Sequence, residues 1–213
     1  MPNYVKNKLE ASRSVLDAMA KGDEAVSLEA VIPFPEGLFM GNDSGGINTL
    51  AEDCAEKAFN QPINDHPLIA RLQTANRAKW SANDLTDSGF EDFIGMCRSK
   101  KQTGFYSILD FCKSEWGTKW GAMRASRTDD AVTFETAWST PMPIWEKLSK
   151  TYPNETLCIT YADEDLGRNC GTIILQNGAV ISQHDGDLTF AHDVWGHTEE
   201  YRAELAAEWA EES

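Results

Sequence analysis

The sequence predicts an α+β fold whose core is a split β-α-β sheet, extended by a helical insertion and by a C-terminal β-hairpin plus helix. Three observations predict this class. A strand–helix–strand pattern occurs near the N-terminus and again after residue 130, helical spacing fills the segment between them, and an Asn-Gly pair separates two apolar runs near the end. Two β-α-β halves in one chain form one sheet with helices on one face. We therefore expect a single domain, 1–213.

The first predicted half spans residues 3–35. Weak alternation of apolar residues over 4–10 predicts a strand, and the helical spacing that follows predicts a helix over 12–20. Apolar residues then alternate over 26–32 and run into Pro33. Because proline ends a strand, this pattern predicts a second strand.

The second predicted half spans residues 130–165. Alternation over 132–138 predicts a strand, a short helix is predicted over 142–150, and residues 156–161 predict a further strand. The tryptophans of this region are expected in the core rather than as stacking platforms for bases, since aromatic residues at strand and helix spacing are more often buried. They are Trp138 and Trp145, with Trp209 further on.

Between the halves, residues 48–128 carry helical spacing and predict a helical insertion packed on the sheet. Residues 166–213 are predicted to hold the C-terminal hairpin and an acidic helix. The hairpin is predicted by Asn177-Gly178 between two apolar runs. The helix begins near Thr198, and its apolar residues at every fourth position are expected to be buried, namely Tyr201, Leu205 and Trp209.

Four short blocks give the chain a family resemblance. They are Asn3 to Leu9, Ile32-Pro33-Phe34-Pro35, Trp116-Gly117-Thr118-Lys119-Trp120, and Phe134 to Pro141. These blocks resemble the YubB-like (Api-like) family of plasmids and phages, whose members carry a ferredoxin-like domain and have no established function. The resemblance covers roughly 3–35 and 115–165. It implies a ferredoxin-like fold and a mobile-element protein of the bacterial cytoplasm, and it offers no catalytic residues.

The net charge of −15 is unevenly distributed. Residues 128–213 carry 17 acids and 4 bases, whereas residues 98–127 carry 7 bases and 2 acids. An acidic C-terminal half repels phosphate backbones, so a nucleic-acid partner is not expected. A nucleic-acid-binding accessory module that uses the basic insert at Arg98, Lys100 and Lys101 ranks third among the functions considered.

Cysteine usage and hydropathy indicate a cytoplasmic protein, and the family resemblance implies that its cytoplasm is that of a bacterial host cell. The five cysteines are odd in number and widely spaced, which favours buried reduced thiols over a zinc ribbon or a disulfide framework. No apolar run is long enough to span a membrane, so no membrane partner is expected.

A polar cluster near the end suggests a metal site, which would belong to a metal-dependent enzyme. Imidazole and carboxylate together suit zinc, manganese or iron. The residues are His184, Asp185, Asp187, His192, Asp193 and His197. Their spacing weakens the idea, because His192 and His197 are five apart and a helical pair of ligands is four apart. A polar hairpin end with capping roles, and hence no cofactor, is the alternative interpretation.

Acidic positions support the leading hypothesis, a non-enzymatic protein that binds a host protein or complex. The carboxylates expected to face solvent are Asp163, Glu164, Asp165, Glu199, Glu200, Glu204 and Glu208. Such a surface imitates a phosphate array and gives fast, salt-sensitive association with a basic groove. The specific hypothesis is a DNA mimic acting as a counter-defence inhibitor of a nuclease or another host nucleic-acid-handling complex. A solvated helix face is the plainer reading.

Overall fold

The structure, a computed structural model, describes residues 3–41 and 87–211. The chain divides into two compact units, the first formed by residues 1–33 with 112–213 and the second by residues 34–111. The single domain expected over 1–213 stays a prediction.

The described residues of the first unit form a six-stranded antiparallel sheet in the order β2-β3-β1-β4-β5-β6. The strands are β1 Tyr4–Glu10, β2 Met123–Arg127, β3 Ala131–Ala137, β4 Thr156–Asp163, β5 Cys170–Gln176 and β6 Ala179–Asp185. The helices of this unit are α1 Arg13–Ala18, α2 Leu28–Val31, α5 Met142–Thr151, α6 Leu188–Trp195 and α7 Glu199–Glu211, with a π-helical turn over Cys112–Trp116. The second unit contains α3 Asp87–Thr103 and α4 Ile108–Phe111.

A split β-α-β unit lies at the centre of the sheet. Strand β1 pairs antiparallel with β3 on one side and with β4 on the other, so that Leu9 stands opposite both Val132 and Ile159. Strands β3 and β4 therefore run parallel to each other, and α5 connects them across β1. This arrangement confirms the predicted α+β, ferredoxin-like fold.

The strand predicted over 26–32 was wrong. Leu28–Val31 form the helical turn α2, and the N–H of Ser27 donates to the carbonyl of Met19 at 2.7 Å. Both sides of β1 are occupied by β3 and β4, so residues 26–32 have no place beside β1. The alternating pattern correctly predicted that Val26 and Leu28 are buried, but it predicted the wrong backbone conformation. A strand forms only where a partner strand is available, and that partner can be distant in the sequence.

One face of the sheet packs on helices. Phe134 of β3 lies 5.6 Å from Trp145 of α5 between ring centroids, and both side chains are fully buried. The indole N–H of Trp145 donates to the Thr140 hydroxyl at 2.9 Å. The prediction that Trp145 belongs to the core is therefore confirmed. Other apolar side chains buried in this unit include Val5, Leu9, Leu16, Val132, Ile144, Leu148, Leu157, Ile159 and Leu175.

The opposite face is largely polar. Helix α6 covers one end of it, where Ala191 packs on Ala162 and Cys170. Beyond that contact lies an open cavity of about 230 Å³, whose lining includes Lys8 and Glu10. These two side chains pair with each other at 2.8 Å.

The helical insertion predicted over 48–128 was wrong at its C-terminal end, since Met123–Arg127 form the edge strand β2. This strand is short and bulged, so its apolar alternation is weak and periodicity does not detect it. Residues 48–86 of the prediction lie outside the described residues. In the second unit the Ser99 hydroxyl accepts from the N–H of Phe39 at 3.0 Å and donates to the carbonyl of Phe105 at 2.7 Å.

The C-terminal hairpin is confirmed. Strands β5 and β6 are joined by Asn177 and Gly178, whose φ values of 50° and 76° are those of a two-residue hairpin turn. Helix α7 is confirmed as well, but its predicted buried stripe was wrong. Tyr201 is 44% exposed and Leu205 is half-buried, because the described side chains of α7 on every side are open to solvent to some degree. The side chain of Trp209 lies outside the described part.

Candidate functional site

The Trp-Gly-Thr-Lys-Trp block is fastened to the end of strand β3. The buried Thr118 hydroxyl donates to the carbonyl of Ala137 at 2.8 Å and accepts from the N–H of Ala137 at 3.1 Å. The Ser139 hydroxyl donates to the carbonyl of Gly117, whose φ is 72°. Two hydroxyl groups therefore hold the block and the strand end together.

Trp138 follows the strand end and does not lie in the core as predicted. Its φ is 72° and its side chain is 45% exposed. The backbone is held on both sides, since its N–H donates to the carbonyl of Asn3 at 2.8 Å and its carbonyl accepts from Asn169 Nδ2 at 3.2 Å. The strand ends at Ala137, so the left-handed backbone of the next residue turns the indole out of the alternating pattern. Positive φ is a true outlier for a bulky residue.

Two lysines lie over the exposed indole. Lys113 Nζ is 5.5 Å and Lys119 Nζ is 4.8 Å from the Trp138 ring centroid, and Lys119 also lies 4.9 Å from the ring of Trp120. The surrounding segment 112–127 is basic, with four bases and one acid. We call Trp138, Lys113, Lys119 and Trp120 the Trp138 site. It combines a partly exposed indole with two positive charges.

Sequence reasoning missed this site because it took the alternation over 132–138 to end with a buried residue. The available signal was the positive charge of residues 98–127 in a chain of net charge −15, next to a tryptophan-rich block. No periodicity reports a single residue with positive φ, so the exposure of Trp138 could not be foreseen.

Asp163 was expected to face solvent, and this was wrong. The residue is 5% exposed, and its carboxylate accepts from Asn169 Nδ2 at 2.9 Å, from the N–H of Asp165 at 2.9 Å, and from Asn3 Nδ2 at 3.4 Å. Asn3 and Asn169 are the residues that also hold the backbone of Trp138. The Asp163 carboxylate therefore orders the neighbourhood of the Trp138 site.

The other predicted acidic positions are exposed. The Glu164 carboxylate accepts from the N–H of Tyr4 at 3.0 Å, and Asp165 follows it on the surface. The predicted glutamates of α7 are also exposed, and three of them recur every fourth residue on one side of the helix, namely Glu200, Glu204 and Glu208. Glu199 precedes them in the first turn.

The predicted metal-site residues divide among several contacts. His192 Nδ1 lies 3.0 Å from His197 Nδ1, and the pKa of His197 is lowered by burial first and then by His192, Arg202 and Lys6. The other four members stand in separate places: His184 bonds Ser182, Asp185 ends β6, Asp187 caps α6 at Phe190, and Asp193 pairs with Arg202.

Across residues 3–41 and 87–211 no group of three or more His, Cys, Asp or Glu side chains is arranged to hold a metal ion. The capping role expected of this segment is present at Asp187. The metal hypothesis stays a prediction.

The basic insert belongs to the second unit. Lys100 lies 4.0 Å from the Asp110 carboxylate and 4.6 Å from the ring centroid of Tyr106, while Arg98 and Lys101 are exposed. Within the described ranges no helix is long and apolar enough to cross a lipid bilayer.

Comparison with known proteins identifies a family resemblance for part of the sheet. Residues 115–204 match the family model described as the ferredoxin-like domain in Api92-like protein. This part of the chain is similar to that domain family, and the predicted Api-like resemblance is confirmed.

The chain is similar to a solved structure, the crystal structure of protein api92 from Yersinia pseudotuberculosis, with 14% sequence identity and a TM-score of 0.40. The matched region covers 87% of this chain and 98% of the api92 chain. No curated protein matches the chain.

Proposed function

We propose that this protein is a non-enzymatic accessory protein of a phage or plasmid that binds a basic surface of a host protein through helix α7. The observation that carries the proposal is the row formed by Glu200, Glu204 and Glu208 on a helix with no buried side chain among those described. Its specific form is a counter-defence inhibitor that occupies the basic groove of a host nucleic-acid-handling complex.

The charge of α7 opposes its own stability in the unbound protein. Like charges four residues apart on a helix destabilise it by about 0.2–0.5 kcal/mol per pair. Arg202 is the one base between Glu199 and Glu211, and it is already bonded to the Asp193 carboxylate at 2.6 Å and to the carbonyl of His197 at 3.0 Å. A basic partner would neutralise the row and remove the repulsion.

An exposed aromatic side chain supports a protein partner. Tyr201 is 44% exposed, and its ring lies 4.6 Å from that of His197 in an edge arrangement. A tyrosine beside carboxylates provides the kind of anchor on which protein interfaces depend. The acidic row would then guide the encounter, since complementary charge mainly raises the association rate.

The test is capture of host proteins on the immobilised chain, at low and at high salt. We expect a specific partner that binds at low salt and is lost at high salt. The double variant Glu204→Lys with Glu208→Lys should abolish capture. The control variant Asp23→Lys with Asp129→Lys changes the net charge equally at exposed positions of other segments and should leave capture intact.

Equal capture by both double variants would contradict the proposal, and so would the absence of any specific partner. Circular dichroism of both variants checks that the fold is unchanged.

A further inference from the structure

We propose that the Trp138 site binds a nucleotide, with the base stacked on the exposed indole and the phosphate held by Lys113 and Lys119. The proposal is independent of the acidic helix α7. It begins with the backbone of Trp138, whose φ of 72° is unusual for a bulky side chain. Such conformations persist only where the surrounding structure imposes them, and they are concentrated at functional sites.

The surrounding structure does impose this one. Hydrogen bonds hold Trp138 at both its N–H and its carbonyl, and Thr118 and Ser139 fasten the residues on either side. An exposed tryptophan alone needs no explanation, because scattered apolar residues are normal on protein surfaces. A tryptophan held outward by a strained and fully bonded backbone does need one, and a ligand for the indole supplies it.

The chemistry of the two neighbours indicates the kind of ligand. Lysine is a point charge on a flexible stem and binds phosphate well, whereas planar carboxylates favour arginine. Lys113 and Lys119 lie within 5.5 Å of the indole centroid. Either ammonium can turn from the ring to a bound phosphate and exchange a weak contact for a stronger one. The indole then offers a flat face, on which any base can stack.

The charge of the whole chain limits the size of the ligand. Residues 112–127 are locally basic, but the chain carries −15 and residues 128–213 contain 17 acids. A duplex would bring many phosphates against this field. The site therefore fits one nucleotide, taken either from free mononucleotides or from the end of a single strand.

The test is titration calorimetry of the full chain with adenosine triphosphate, adenosine and inorganic tripolyphosphate as probes. Adenosine triphosphate should bind saturably. Adenosine, which lacks the phosphates, and tripolyphosphate, which lacks the base, should each bind about tenfold more weakly, since stacking and charged contacts have similar strength. An adenine oligonucleotide with a 5′-phosphate separates the two sources. A site for the end of a single strand binds this oligonucleotide more tightly than the mononucleotide, whereas a site for free mononucleotides does not.

Three variants locate the binding. Trp138→Leu should weaken it by about tenfold, and Lys113→Gln with Lys119→Gln should weaken it by at least as much. Lys147→Gln, an exposed lysine of α5, is the matched control and should change affinity by less than about twofold. Trp138→Asn is a second variant that removes the aromatic ring, and it should also weaken binding by about tenfold, since asparagine accepts positive φ but offers no ring on which a base can stack.

The proposal is overturned if no probe binds, or if binding in the Trp138 and lysine variants stays within about twofold of that in the unaltered chain. It is also overturned if a glutamate-rich peptide binds the site more tightly than adenosine triphosphate, since the ligand would then be an acidic peptide.

Discussion

Trp138 and Trp145 lie close together in the sequence but in opposite surroundings. Trp145 is fully buried against Phe134, and its indole N–H is bonded to Thr140. Trp138 is 45% exposed, lies under two lysines and has a left-handed backbone. The same residue type therefore stabilises the fold at one position and is strained at the other. The contrast teaches that backbone conformation, rather than residue type, separates a core tryptophan from a candidate ligand contact.

The largest effect should come from Trp145→Ala. Deleting a buried tryptophan removes its packing and leaves a cavity, which lowers the free energy of unfolding by about 3–5 kcal/mol. Urea denaturation followed by circular dichroism measures this change. Trp145→Phe, which keeps an aromatic ring beside Phe134, should cost less. A loss below about 1 kcal/mol for Trp145→Ala would show that this side chain does not anchor the core.

An intermediate effect is expected at Asp163, whose buried carboxylate ties Asn3 and Asn169 into the neighbourhood of Trp138. Asp163→Ala removes hydrogen bonds to a charged group and should lower the free energy of unfolding by about 2–3 kcal/mol. The exposed Asp165 gives the matched control, and Asp165→Ala should change the free energy of unfolding by less than about 0.5 kcal/mol. Equal losses in the two variants would mean that the Asp163 carboxylate orders nothing.

The smallest effect is expected for Trp138→Gly. Relief of the left-handed backbone favours the variant by about 1–2 kcal/mol. The lost contacts with Lys113 and Lys119 and the added backbone freedom of glycine act against it with similar size. The free energy of unfolding should therefore stay within about 1 kcal/mol of the original, measured in the same urea series. A loss comparable to that of Trp145→Ala would remove the distinction between the two tryptophans.

Local patterns predicted the fold well where a local rule decides the structure. The alternation over 4–10 and the Asn177-Gly178 turn each specify a strand or hairpin from neighbouring residues, and the structure contains both. The strand expected over 26–32 failed because pairing depends on distant partners, and β3 and β4 already flank β1. Composition identified the exposed glutamates of α7 but not the burial of Asp163, which results from amide groups distant in the sequence.

The candidate site was the least predictable part. The Trp-Gly-Thr-Lys-Trp block was evident in the sequence, yet the Trp138 site depends on one φ angle and on two lysines that lie over one ring. No residue spacing encodes that geometry. The acidic helix was the opposite case, because its carboxylates lie within one short segment of the sequence and need no tertiary structure to be recognised.

The most direct test of the central claim, that Trp138 is held outward for a ligand, is a nuclear magnetic resonance titration of the ¹⁵N-labelled chain with adenosine triphosphate. The indole N–H signal of Trp138 should shift saturably together with the backbone amides of Lys113 and Lys119, while the indole signal of Trp145 stays in place. Shifts confined to other residues, or none at saturating nucleotide, would contradict the claim and leave the conformation of Trp138 without a ligand to explain it.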